Sequence, residues 1–166
     1  LLHEDPGSLL SAWPRDINRI GHEGYEQYRQ KFPAIEDLRQ VASSAGAFSV
    51  EQALAANPDL AVFSLNAQPE AAQIAQLEAA GISVLVVDFF QQPLTNLEPS
   101  LRLLAAATGR ADAAEAFIRF RGDRIAAITR RLAGATARPR VFIEPHAART
   151  DECCASPGKG NIGNYI

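Results

Sequence analysis

The chain has 166 residues, 47% of them hydrophobic and 21% charged, which excludes collagenous and disordered classes. That length suffices for one domain with a core, or for one lobe and part of another. Sixteen basic and nineteen acidic side chains leave a formal charge of -3, too balanced for a nucleic-acid binder or a protein held to a membrane surface by bulk charge.

Leu9 to Trp13 is a brief apolar run ended by Pro14 and predicts a short strand. Tyr25 to Phe32 alternates aromatic and charged residues ahead of Pro33 and predicts a helix of modest length. Ser49 offers a capping hydroxyl, with Gln52 three residues on, to a helix from Val50 to Ala56 that stops before Pro58. Asp59 to Ser64 is then a compact strand. Pro69 opens a second helix, Glu70 to Ala80, with Ile74 and Leu77 on its apolar face and Gly81 at its end. Ile82 to Val87 follows as a continuous apolar strand, the type expected where both faces of a sheet are covered. Helix and strand alternating at these spacings imply right-handed crossovers and a parallel sheet.

Two more helices are predicted, Leu97 to Thr108 stopped by Gly109 and Asp112 to Leu132 stopped by Gly134. In the second, Ala113, Ala116, Phe117, Phe120, Ile125, Ile128 and Leu132 recur at helical spacing. A helix of about 20 residues spans ~30 Å, enough to run from one lobe to another. Arg140 to Glu144 predicts a further strand, and Pro145 to Ile166 reads as loop. The expected fold class is therefore α/β: a Rossmann-like N-terminal lobe with a parallel sheet over residues 1–110, a connecting helix over 111–135, and the beginning of a second α/β lobe over 136–166. Methionine is absent, which predicts a processed or truncated piece. No transmembrane segment is expected, because the longest apolar stretch, Ile82 to Phe90, is interrupted by Ser83 and Asp88.

Open α/β sheets bind their ligands in loops past the strand ends. Three predicted strands place Trp13 and Arg15, Ser64 and Asn66, and His146 and Arg149 at such positions. Together they offer an aromatic platform, arginine forks for an anion, and small polar groups. The adjacent Cys153 and Cys154 are too close for the usual zinc spacing, and only three histidines accompany them. They can form a vicinal disulfide lining a cleft, remain thiols, or fill a small apolar niche. Gly158-Lys159-Gly160-Asn161-Ile162-Gly163 satisfies a G-x-G-x-x-G pattern, but Ser156-Pro157 stands where a strand should lead into it. A Rossmann-like nucleotide-binding domain or enzyme is on that account the alternative reading. No nucleophile and base stand at a motif spacing, so no catalytic residue, resident metal or cofactor is expected.

The segment from Ser49 to Phe63, with Glu51, Leu54 and Pro58-Asp59-Leu60-Ala61 in order, resembles the E-x-(I/L)-x-x-L-x-P-D-L-V stretch of the periplasmic substrate-binding proteins that serve ABC importers of ferric siderophores, haem and cobalamin. Ala80-Gly81-Ile82-Ser83-Val84 is similar to that family's G-I-P-V segment, Leu104 to Ala114 to its L-G-x-L-T-G-R-x-x-x-A helix, and Arg138 to Phe142 to the strand that opens its second lobe. Ser156 to Gly163 resembles the glycine-containing loop of that lobe. The family's first strand and most of its second lobe have no counterpart, and the cysteine pair is not a general family feature.

The resemblance implies an extracytoplasmic, periplasmic or lipid-anchored, binding protein that holds a metal chelate between two lobes joined by a rigid helix. A ferric siderophore is the expected ligand, since Arg15 and Arg149 suit an anion and Trp13 an aromatic face; haem, with His146 as axial ligand, and cobalamin are the alternatives. Cys153 and Cys154 are expected to face the cleft. The implied partners are the chelate and a membrane permease, to which Glu51 docks by its match to the family's acidic position. Nucleic acid is not expected as a partner, and the protein is expected to be a monomer.

Overall fold

The computed structural model describes residues 5–14, 22–42, 47–137 and 140. Backbone contacts divide the chain into two compact units, one holding His3–Phe63 and Ala67–Val86, the other Ser64–Asn66 and Val87–Ile166.

In the first unit a 3-10 turn, Pro6–Leu9, leads to strand β1, Ala12–Trp13. The predicted strand over Leu9 to Trp13 is thus cut to its last two residues, because Pro6 at the turn's start curls the preceding backbone. Helix α1 spans His22–Lys31, beginning three residues before the predicted Tyr25. A second 3-10 turn, Pro33–Glu36, precedes strand β2, Arg39–Gln40, which sequence periodicity does not reveal. β2 pairs in parallel with β1, Ala12 opposite Arg39 and Trp13 opposite Gln40. The pairing runs on through Val41, whose N–H donates to Trp13 O at 3.2 Å, and an antiparallel bridge joins Ala42 to Phe48.

Helix α2, Val50–Ala56, forms as predicted, with Ser49 Oγ accepting from Gln52 N at 3.2 Å. Its end is set by Asn57, in the left-handed region at φ 46° and ψ 56°, and by Pro58, which cannot continue a helix. Strand β3, Leu60–Ser64, helix α3, Ala71–Ala79, and strand β4, Ser83–Val87, follow within a residue or two of expectation. β3 and β4 are sheet neighbours, and Ser83 N donates to Asp59 O at 3.3 Å, start against start, as strands joined by a helical crossover must pair. Gly81, at φ 84°, reverses the chain after α3. Its N–H donates to Glu78 O and that of Ile82 to Leu77 O, so the last carbonyls of the helix are satisfied.

That reversal also packs the core. Leu77 and Ile82, brought together across the turn, are buried with Ala53 of α2, and Val41, Phe48, Val50, Ala61, Phe63 and Val84 close around them. Phe48 and Phe63 meet edge to face at 5.2 Å. Gln73 ties the periphery, donating from Nε2 to Phe48 O at 3.2 Å and accepting from Glu70 N at 3.0 Å.

The second unit is built on helices α4, Pro93–Thr108, and α5, Ala111–Leu132, which pack against each other. α4 begins four residues ahead of the predicted Leu97. Pro93 occupies its first turn, where a missing N–H costs nothing, and Pro99 is accommodated on the exposed side inside the helix. Gly109, at φ 67°, closes α4, and Arg110 N donates to Ala105 O at 2.8 Å. Small Ala105 and Ala114, at 0% and 1% exposure, let the two helices approach, and Ile118 fills the space beside them. Two ion pairs cross the seam: Arg102 forks onto Glu115 at 2.6 and 3.2 Å, and Arg121 reaches Glu98 at 3.4 Å.

The residues that recur at helical spacing along α5 are not the ones this seam buries. Ala114 and Ile118 are its buried residues, whereas Phe120, Ile125, Ile128 and Leu132 are 40–60% exposed. Spacing identifies stripes on a helix; the partner helix decides which stripe is covered. The predicted strand Arg140 to Glu144 lies outside the described residues, apart from position 140.

Leu77→Ala is expected to destabilise the protein by about 2–5 kcal/mol in urea unfolding, with Leu103→Ala, half exposed on α4, within about 0.5 kcal/mol of the parent. Equal losses for the two would contradict the assignment of the core.

Candidate ligand-binding site

Of the residues expected at strand ends, Trp13, Ser64 and Asn66 are described; Arg15, His146, Arg149, Cys153, Cys154 and the glycine string Gly158 to Gly163 lie outside the described residues. Trp13 ends β1 and is half-buried. Its indole N–H donates inward to Ile35 O at 3.1 Å, so the polar edge of the ring is engaged within its own unit and the ring face is what remains for a ligand. Ser64 ends β3 and Asn66 lies in the 3-10 turn Leu65–Ala67 just beyond it. The Ser64 hydroxyl donates to Asn66 Oδ1, and Asn66 is exposed.

A fourth strand end was not anticipated from sequence. Asp88, directly after β4, is 4% exposed and its carboxylate accepts four hydrogen bonds. Oδ1 takes those of Phe90 N at 2.9 Å and Gln91 N at 2.8 Å. Oδ2 takes those of Gln92 N at 3.0 Å and the Asn96 amide at 2.9 Å. Ser100 completes the arrangement from α4, its hydroxyl accepting from Asp88 N at 2.9 Å and donating to Asp88 O at 3.3 Å. Burial by itself pushes the Asp88 carboxyl up; the Asn96 amide and the N–H groups of Gln91, Phe90 and Gln92 outweigh it and hold the group at about 2. The available signal was an Asp followed by Asn eight residues on and Ser twelve on. No local pattern distinguishes that from an ordinary turn aspartate.

β3 and β4 are neighbours in one sheet, so Ser64, Asn66 and the Asp88 loop stand at the same edge. Ser64 and Asn66 supply hydroxyl and amide groups past β3, and Phe90, in the loop past β4, is 59% exposed. Among the described residues, no group of three His, Cys, Asp or Glu side chains can hold a metal ion, and no helix is long and apolar enough to cross a membrane. Glu51 is exposed in the first turn of α2, where the helix dipole favours a carboxylate. Beside it Arg39 donates to Gln52 Oε1 at 2.8 Å.

Since the folded Asp88 carboxyl titrates at about 2 against an ordinary 3.8, it contributes stability above the ordinary value and loses that contribution as pH falls from 3.8 towards 2. Asp88→Asn is expected to cost about 1–3 kcal/mol at neutral pH and to flatten the acid limb of a stability–pH curve measured by urea unfolding. An unchanged acid limb would show that the carboxylate is not the group that titrates there.

The sequence pattern of the family described as "Periplasmic binding protein" matches residues 20–150. Among solved structures the chain is similar to a TroA-like periplasmic binding protein, FepB, from Veillonella parvula, at 20% identity over 70% of this chain and 34% of that one, with a TM-score of 0.59. It is also similar to a periplasmic heme-binding protein from Pseudomonas aeruginosa, at 23% identity over 78% of this chain and 50% of that one, with a TM-score of 0.50. RhuT from Roseiflexus sp. RS-1, a periplasmic heme-binding protein, matches at 23% identity over 64% and 40% of the two chains, with a TM-score of 0.50. The chain thus spans between a third and a half of the length of these structures. No curated protein sequence matches. The α/β arrangement and the family pattern over most of the chain lead to one conclusion: the chain belongs to the periplasmic binding protein family.

Proposed function

We propose that the chain is part of the extracytoplasmic solute-binding component of an ABC importer, which captures an iron chelate between two lobes and delivers it to a membrane permease. The observation that carries this reading is the family match over residues 20–150. The edge formed by the ends of β3 and β4, with Ser64, Asn66 and an ordered loop, supports it, because a solute can be held there without reshaping the backbone. On this reading α5 is the helix that connects the lobes. Trp13, Arg15, Ser64, Asn66, His146 and Arg149 contribute ligand contacts, and Cys153 and Cys154 face the cleft.

A ferric siderophore is the first ligand reading. Arginine forks at Arg15 and Arg149 suit its anionic oxygens, and the Trp13 face suits its aromatic or aliphatic arms. Haem is the second, favoured by His146 as a nitrogen ligand past a strand end. The binding component takes no part in covalent chemistry; its work is selective, reversible capture.

Trp13 is the single tryptophan of these 166 residues, so the fluorescence difference between the parent and a Trp13→Phe variant reports binding at its ring. Titration of the full-length protein with a tris-catecholate ferric chelate, a tris-hydroxamate ferric chelate, hemin and cobalamin is expected to give saturable quenching by one class below about 1 μM, equivalent to roughly -8 kcal/mol or better. A folded protein that responds to none of the four would overturn the solute reading. Docking is tested separately. Glu51→Arg is expected to leave chelate affinity unchanged while abolishing stimulation of the permease's ATP hydrolysis in reconstituted vesicles. Undiminished stimulation would remove Glu51 from the docking surface.

A further inference from the structure

Phe90 is 59% exposed on a loop whose backbone is tied down from beneath. Its own N–H and those of Gln91 and Gln92 all end on the Asp88 carboxylate, itself buried and further held by Asn96. Among the described residues of this unit, the other large apolar residues that are more than half exposed, Leu94, Leu103, Phe120, Ile128 and Leu132, lie on α4 and α5. Phe90 instead follows a strand, at the sheet edge it shares with Ser64 and Asn66, where an open α/β sheet receives its ligand. A ring on a pre-ordered loop gives up little conformational freedom on contact. Its quadrupole favours a partner that presents another aromatic ring, stacked with an offset or edge-on.

We propose that Phe90 contacts the solute and selects chelates with a flat aromatic face, and that Asp88 is the residue that positions it. This rests on the solute-binding reading above and narrows it: a porphyrin and a catecholate both offer such a face, whereas a hydroxamate does not. Trp13 then differs in role from Phe90, since its indole N–H is bound to Ile35 O and the residue is half-buried.

The full-length protein is titrated with hemin, a tris-catecholate ferric chelate and a tris-hydroxamate ferric chelate, alongside Phe90→Ala, Phe90→Tyr and Leu94→Ala variants. The expected result is that Phe90→Ala weakens the hemin or the catecholate complex about tenfold, leaves any hydroxamate binding and the melting temperature unchanged, and is rescued by Phe90→Tyr. Leu94→Ala is expected to match the parent. Whichever of the two aromatic probes responds identifies the source of the flat face. Asp88→Asn is expected to weaken the same probe, and to add nothing further when combined with Phe90→Ala, because it acts through the ring. Chelate binding by the parent that Phe90→Ala leaves intact overturns the proposal, as does a loss equal for all probes with a lowered melting temperature. Failure of the parent to bind any probe overturns the solute reading itself, and the role of Phe90 with it.

Discussion

A carboxylate buried at the end of a strand must collect hydrogen-bond donors or take up a proton. Asp88 collects four, three from consecutive backbone N–H groups and one from Asn96. This one side chain converts the stretch between β4 and α4 from a linker into a defined turn. It satisfies orphan N–H groups ahead of α4 that Pro93 cannot help to cap, and it draws the first turn of α4 close enough for Ser100 to bond its backbone. The alignment of α4 then decides where Ala105 meets α5, and thereby which stripe of α5 is buried. The order runs from a hydrogen-bonded carboxylate to a helix start to a helix–helix seam.

The first unit is organised differently, by apolar burial around a chain reversal. Gly81 allows Ile82 to fold back on Leu77, and the same reversal sets the start of β4 opposite Asp59 at the start of β3. Because strand alignment and core packing come from one turn, the C-terminal ends of β3 and β4 arrive together at one edge. That shared edge follows from how the chain reverses, and its chemistry is set by which side chains stand past each strand end. Polar groups follow β3, and an anchored aromatic follows β4.

The ion pairs between α4 and α5 are of a different kind. Arg102, Glu98 and Glu115 are substantially exposed, so solvent screening leaves them weak individually. Their contribution is to favour one register of the helix pair over its neighbours. Close packing of Ala105, Ala114 and Ile118 supplies the attraction.

Local chemistry made much of this legible in advance. Ser49, Asn57-Pro58, Gly81 and Gly109 act through the backbone within a few residues of themselves, so α2, α3 and the C-terminal end of α4 could be bounded from the sequence alone, and the alternation of helix with apolar strand set the α/β class. What sequence could not supply was anything that depends on a distant partner. β2 has two exposed residues with no periodicity of their own and exists because β1 lies beside it. Phe120 and Ile128 recur at helical spacing in α5 yet are exposed, because spacing defines several stripes and α4 covers the one that holds Ala114 and Ile118. Trp13, Ser64 and Asn66 were recognisable as strand-end residues, yet the inward hydrogen bond of Trp13 and the bond between Ser64 and Asn66 depend on how the chain turns back. Asp88 was the largest omission: its donors are spread over eight residues, and a carboxylate acquires a structural role only when folding withdraws it from water and brings those donors around it.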